Sequence, residues 1–397
     1  MYNHQKVKKK REAWLTLIAM LFIIAAWIAG GLVENADILS TIKEKMPDIA
    51  KFEELESSTY KIYNAEDMVL GYLSVESAMG YGGPLQMAVA VDQDGKIFDL
   101  AVVSSKETPS YLEKVLDTDF LDDIIGKSFT DTYTIGVDID GISSATYSSN
   151  AILEASKMGD RFVSAKVLGF DVPEKESPSL QFGGAEMVLI LLFAIGYFAH
   201  KKTFKYKKIA RWGTMLVGLF VLGFFYNKPF TLSMINQLLL GYFPPLHSHL
   251  YWYMLLFGVF FVFTVDNKNP YCQWFCPFGA AQECMGLVGG AKHRSVGKFK
   301  NIFKWSLRII TLFAIIMALL LRNPGVTSYE IFGTLFKLTG SNFQFAILGI
   351  ILVASMFIKR PWCTYLCPLG PVTDHFSHLR GLVMGKWKGS MQKHKNV

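Results

Sequence analysis

The stretch "MVLILLFAIGYFAHKKTFKYKKIARWGTMLVGLFVLGFFY", Met187–Tyr226, sets two apolar runs around a basic linker. Each run approaches the roughly 20 apolar residues that a membrane-spanning helix needs. Lys201, Lys202, Lys205, Lys207, Lys208 and Arg211 fill the linker, and Lys and Arg resist translocation, so this turn is expected in the cytoplasm. Working outward, comparable runs lie at Trp14–Val33, Leu250–Val265, Ile302–Leu321 and Phe343–Ile358. With Met187–His200 and Trp212–Tyr226 they predict a polytopic α-helical membrane domain of about six transmembrane helices. A chain of 397 residues that is 51% hydrophobic is too apolar for an ordinary soluble enzyme.

The first run follows "QKVKKKREAW", a basic start that a secretory signal would share. The run is long for a signal and "GGLVENADIL" is a poor cleavage site, so an anchor that stays is expected. Asp266–Lys304 and the tail after Lys359 are also basic, whereas Asn227–His249 holds only Lys228, and Arg322–Ser341 only Arg322 and Lys337. This alternation places both chain ends in the cytoplasm and the long polar segment outside, in a cytoplasmic (inner) membrane. The expected domains are 1–33, a cytoplasmic start and anchor; 34–183, an extracytoplasmic domain; and 184–397, the helical membrane domain.

Residues 34–183 carry 12 Lys/Arg against 27 Asp/Glu, a net of −15, which leaves +22 on the remainder of a chain whose formal charge is +7. The protein is an acidic outer domain on a basic membrane part. The positive charge follows one membrane face, so no nucleic-acid partner is expected. The outer segment reads as α+β. "ENADILSTIKEKMPDIAKFEEL" has helical periodicity, and "PLQMAVAVDQDGKIFDLAVVSS" reads as two strands around Asp94-Gly95. "SYLEKVLDTDFLDDIIG" returns to helical spacing, and "SNAILEASKMGDRFVSA" is a further helix with Ser148, Ser149 or Asn150 as its cap.

Just before that helix stands "DGISSATYSSNAI", Asp140–Ile152. Thr146 is thus expected on a turn before a helix N-terminus, where free N–H groups and a partial positive charge suit a phosphate. Ser143, Ser144 and Ala145 are small enough to let another molecule reach the threonine hydroxyl. On these residues alone, a Ser/Thr-rich turn with a helix cap competes with a phosphate site.

The order "GYGGPLQMAVAVDQDGKI", "ETPSYLEKV", "DGISSATYSS" resembles the FMN-binding domain of the flavin subunits of Rnf and Nqr complexes and of NosR-like proteins, over most of residues 60–165. The resemblance implies FMN held covalently through a phosphoester to Thr146, made by a separate flavin transferase. It also implies Glu107 and Thr108 near the isoalloxazine ring, with Gly82 and Gly83 allowing close backbone approach. Ser144 and Ser110 stand where the family has glycine.

The five cysteines are Cys272, Cys276, Cys284, Cys363 and Cys367. Four form a repeat, "YCQWFCPFGA" and "WCTYLCPLGP", each with thiols four residues apart and so on one face of a helix. The proline after the second thiol is expected to mark a helix end or turn. Cysteines in cytoplasm-facing segments are not expected to form disulfides. Two copies together offer four thiolates, the usual set for an iron–sulfur cluster; structural zinc also takes four. Cys284 has no counterpart in the repeat. His200, His247, His249, His293, His375 and His378 lie at span ends or beyond, which suits interfacial side chains better than haem ligands. His247 and His249 are the pair worth testing for metal.

The repeat resembles the membrane module of NosR/NirI proteins and NapH-type membrane ferredoxins, which implies a 4Fe-4S cluster on Cys272, Cys276, Cys363 and Cys367 at the cytoplasmic ends of helices. A flavin outside and a thiolate site inside predict electron transfer across the membrane, from a cytoplasmic donor to an extracytoplasmic reductase or other membrane subunits. No side chain is assigned a catalytic role. The alternatives are a NosR-like maturation or regulatory protein for an outer metalloenzyme, and a flavin-delivering scaffold. Centres at opposite faces of a hydrocarbon core about 30 Å thick need a relay, and none is legible.

Overall fold

The computed structural model describes residues 2–33, 38–56, 58–107, 109–142, 145–173, 179–199, 205–266, 269–292, 300–327 and 329–381. Helix α1 (Tyr2–Val33) leads into α2 (Ile38–Lys45), after which five strands follow: β1 (Lys51–Glu56), β2 (Thr59–Tyr63), β3 (Val69–Met79), β4 (Pro84–Val91) and β5 (Ile97–Ser105). They form one antiparallel sheet in sequence order. The β4–β5 pair is the hairpin expected around Asp94-Gly95, with Gly95 at φ 74°. Helices α3 (Pro109–Leu116) and α4 (Thr146–Lys166) complete the domain.

Strand alternation divides the core into two layers. Leu85, Met87, Val89 and Val91 pack with Ile152, Ala155 and Val163 of α4. Ala88 and Ala90 point the other way, into a layer with Ile42, Met46, Ile49, Ile62 and Leu73. At Gly159 an added Cβ would meet Val89 at 3.0 Å, so α4 lies close on the sheet.

Two expectations are corrected here. Among the described residues the helical reading of "ENADILSTIKEKMPDIAKFEEL" holds for Ile38–Lys45 alone, because Pro47 cannot continue the helix and Lys51–Glu56 pairs with β2 as a charged edge strand. Helix α4 is capped by Ala145, not by Ser148, Ser149 or Asn150. Ser148 and Ser149 are buried inside its first turns, and the Ser149 hydroxyl donates back to Ala145 O at 3.2 Å. Burial of this helix against the sheet outweighs the preference of serine for a cap.

The membrane part comprises α5 (Gly184–Ala199), α6 (Lys207–Val217) continuing as a π-helix Gly218–Phe225, α7 (Leu232–Leu240), α8 (Leu250–Asp266), α9 (Pro277–Gly289), α10 (Lys300–Leu320), α11 (Phe332–Phe336), α12 (Asn342–Phe357) and α13 (Pro361–Tyr365). All six apolar runs are helical. Among the described residues Arg11–Leu32, Lys207–Phe225 and Asn301–Leu320 are long and apolar enough to cross a membrane, and Gly184–Ala199, Leu250–Val265 and Asn342–Phe357 are shorter apolar helices. Helix α1 packs on α10 so closely that a Cβ at Gly30 would lie 2.1 Å from Leu319 O, the small-residue contact that membrane helices favour. The π-helix starts at Gly218, where a Cβ would lie 2.3 Å from Phe275 O. Regular α-geometry there yields to a neighbouring backbone.

Candidate functional site

Thr146 is the first residue of α4 and is exposed. It opens on a cavity of about 1620 Å³ between the sheet domain and the membrane part. Thr146, Lys157 and Arg161 stand on one wall; Glu186, Lys228 and His249 stand on the other. Ser143, Ser144 and Thr108 lie outside the described residues, and Ala145 is buried. A phosphate on the Thr146 hydroxyl would sit at a helix start, with Lys157 and Arg161 along the same cavity wall.

Glu107 is buried, and its carboxylate accepts from Tyr81 N and from Gly82 N at 2.9 Å. It therefore shapes the 80–83 turn. An added Cβ would meet Glu107 Oε1 at Gly80 and Lys106 Cβ at 2.9 Å at Gly83, so the close approach permitted by Gly83 is to the chain itself. From the other side Gln237 Nε2 donates to Tyr81 O at 2.8 Å and Gly82 O at 2.7 Å, while its Oε1 accepts from Trp252 Nε1 at 2.8 Å. This turn docks the sheet domain on α7 and α8.

An aromatic row runs beside Thr146. Tyr111 and Tyr81 rings are 5.2 Å apart, Tyr81 and Tyr147 6.1 Å, and Tyr147 and His249 5.7 Å. His249 pairs Nδ1 with Ser248 Oγ at 2.9 Å, and its buried Nε2 has no protein partner. Burial, then the nearby Lys228 and His247, lower its pKa to about 4, so the imidazole is neutral near pH 7. The sequence marked His249 as an interfacial histidine and, with His247, as a pair to test for metal; its place in the cavity wall depends on how the two domains dock.

The cysteine repeats form broken helices. Cys272 lies in a π-turn, Tyr271–Phe275; Cys276 is extended (φ −60°, ψ 119°) and caps α9, with Pro277 as its first residue. Cys363 lies in α13, and after Cys367 and Pro368 residues 369–381 are helical. As expected, the helix carrying the first thiol ends at this break, at Phe275 and Tyr365, and the proline then opens the following helix, where its fixed φ suits the first position; the expectation corrected is that both thiols share one helix face, because the second lies beyond the end of the helix that carries the first. Cys276 Sγ accepts from Gly279 N at 3.5 Å. Arg360, ahead of the second repeat, donates to Cys272 O in the first at 2.8 Å and pairs with Glu283 at 2.7 Å. Arg211 holds the same carboxylate.

Cys276 and Cys367 are buried, Cys272 and Cys363 half-buried, and all five thiols are free. Burial raises all four repeat thiols, and for Cys272, Cys276 and Cys367 the charge on other repeat cysteines raises them further. Holding all four as thiolates would therefore take a cationic centre beside them. Among the described residues no three His, Cys, Asp or Glu groups gather tightly enough for a single metal ion. Four buried or half-buried cysteines are the donor set that a 4Fe-4S cluster takes, and structural zinc takes four as well. The Cys284 thiol is raised by burial and Glu283, outside this mutual group.

The two sites are linked through the loop after the π-helix. The hydroxyl of Tyr271, one residue before Cys272, accepts from Phe230 N at 2.7 Å, and the Tyr251 hydroxyl donates to Lys228 O at 3.0 Å. Asn227 and Lys228 of this loop line the cavity at Thr146. Glu330 Oε2 accepts from Leu232 N at 2.8 Å, and its charge reaches both Cys367 and Tyr81.

Residues 80–158 match the model of an FMN-binding domain, and residues 248–295 and 343–387 match that of a 4Fe-4S binding domain. YccM of Escherichia coli, provisionally named an electron transport protein, is 28% identical over 151 residues, 34% of this chain and 40% of that protein. NirI of Paracoccus denitrificans is 26% identical over 215 residues, 49% of this chain and 31% of its own length. One component of an ion-translocating oxidoreductase complex of Stutzerimonas stutzeri is 29% identical over 97 residues, 21% of this chain and 41% of that component. The chain spans less than half the length of each of these relatives. It joins an FMN-binding domain, with Thr146 at the head of its long helix, to 4Fe-4S binding domains that hold both cysteine repeats.

Proposed function

We propose that this protein carries electrons through a membrane between a 4Fe-4S cluster on Cys272, Cys276, Cys363 and Cys367 and an FMN esterified through its phosphate to Thr146. The cluster supplies one-electron exchange, and FMN accepts one or two electrons. Thr146 holds the flavin at the cavity, and Ser143, Ser144 and Ala145 ahead of it are residues small enough to admit a flavin transferase. Tyr81, Tyr147 and His249 give the ring an aromatic, water-poor surround. Glu107 fixes the turn beneath it. Electrons enter from a cytoplasmic donor and leave to an extracytoplasmic reductase or partner subunit, with both chain ends in the cytoplasm.

The observation that carries this reading is the Tyr271–Phe230 hydrogen bond, because it joins a residue beside Cys272 to the loop that lines the flavin cavity. Anaerobically purified protein should contain covalent flavin, iron and acid-labile sulfide, and a reductant that reduces the iron centre should bleach the flavin in the same molecule. Zinc without sulfide, or an iron centre that never exchanges electrons with the flavin, overturns it.

A further inference from the structure

Two carboxamides straddle the cysteine repeats in the same manner. Asn269 Oδ1 accepts from Cys272 N at 3.1 Å while its Nδ2 donates to Cys272 Sγ at 3.1 Å. Gln282 Oε1 accepts from Trp362 N at 2.9 Å while its Nε2 donates to Cys363 Sγ at 3.3 Å and to Phe278 O at 3.2 Å. A backbone N–H can only donate, so each amide must turn its oxygen toward the backbone and its NH₂ toward sulfur. Gln282 is fully buried, so nothing competes with these partners. A neutral thiol is a weak acceptor, whereas a thiolate takes a charge-assisted bond.

The pairing is not inherited from the repeat. Counting from Cys272 to Cys363, position 269 corresponds to Arg360 and position 282 to Thr373, so the second copy has neither amide. Helix α9 of the first copy instead reaches across to the first cysteine of the second. Each first cysteine thereby has one side-chain N–H donor, one supplied locally and one from the opposite copy.

We propose that Asn269 and Gln282 set the reduction potential of the cluster on Cys272, Cys276, Cys363 and Cys367, each by an N–H···S bond to one ligand. This rests on those four cysteines being cluster ligands. Taking up one electron makes the cluster and its thiolates more negative, so a donor aimed at sulfur strengthens its bond on reduction and raises the potential.

The test uses the full chain, purified anaerobically with its flavin, and follows the cluster by paramagnetic resonance at poised potentials. Asn269→Asp and Gln282→Glu keep the oxygen that receives the backbone N–H and remove the donor; Asn269→Leu and Gln282→Met remove the donor without adding charge. Each should lower the reduced-to-oxidised ratio at fixed potential by roughly tenfold, about 59 mV for a one-electron couple. The changes should add in the double variant, since the donors serve different cysteines. The flavin potential, read optically, should stay fixed. Unchanged cluster potential, or a shift in the acidic variants alone, overturns the proposal. If the variants load no cluster, wild-type protein labelled with ¹⁵N in its Asn and Gln amides decides: nitrogen coupling to the reduced centre supports the bonds, and its absence overturns them. Wild-type protein lacking iron and sulfide refutes the ligand assignment instead.

Discussion

The side-chain amide of Gln237 donates to Gly82 O at 2.7 Å, so a residue of the membrane part completes the turn that Glu107 shapes from inside the FMN-binding domain. Gln237 also bonds Tyr81 O and Trp252 Nε1. Gln237→Leu would leave three buried polar groups unpaired, each costing about 1–3 kcal/mol. The expected result is a domain that folds but docks loosely, seen as faster protease cleavage between residues 167 and 183. Unchanged cleavage would show that the contact is dispensable.

Thr146→Ala should abolish the fluorescence of flavin that survives denaturing electrophoresis. Thr146→Ser keeps a hydroxyl at the first position of α4 and should retain part of it. Full fluorescence in the alanine variant would place the attachment elsewhere.

Replacing any one of Cys272, Cys276, Cys363 and Cys367 with Ser should remove most iron and sulfide, because one cluster needs all its ligands. Cys284→Ser should leave both unchanged. Loss confined to one pair would mean two independent sites.

Tyr271→Phe keeps the ring and leaves the buried Phe230 N–H unpaired. A stability loss of about 1–3 kcal/mol is expected, with slower flavin reduction after rapid reduction of the iron centre. An equal rate in the variant would exclude this contact as the coupling between the sites.

Acid should act in opposite directions on the two halves. His249 titrates at about 4 in the fold against an ordinary 6.5, so the unfolded chain binds the proton first and stability falls as pH drops from 6.5 toward 4. Asp160, bonded to Tyr133 at 2.7 Å and raised by burial to about 6, does the reverse: it adds stability as pH falls from 6 toward 3.8. Protease sensitivity at the domain boundary should therefore rise below pH 6.5 while amide exchange inside the FMN-binding domain does not. His249→Gln should flatten the boundary effect; a persisting slope would assign it to another group.

Local signals foretold much of this molecule. The six apolar runs are helices, the Pro84–Ser105 hairpin turns at Asp94-Gly95, and Thr146 stands at a helix start. Strand β1 escaped notice because "KFEELE" is a charged edge with little alternation. The thiol spacing misled because residues four apart share a face only in an unbroken helix, whereas here the helix ends between the two cysteines and Cys276 is extended ahead of Pro277. Glu107, His249 and Gln282 owe their roles to neighbours 25 to 81 positions away or to the docked domain, and periodicity carries no information on such distances.

The exchange of partners between the repeats also fixes an order of manufacture. Gln282 is synthesised well before Cys363, and Cys272 waits for Arg360 to hold its carbonyl. The first copy leaves the ribosome before Arg360 exists, whereas the second finds Gln282 already made. A cluster held by all four cysteines would load only after translation of the second repeat, and until then the first repeat would wait without Arg360 on its Cys272 carbonyl.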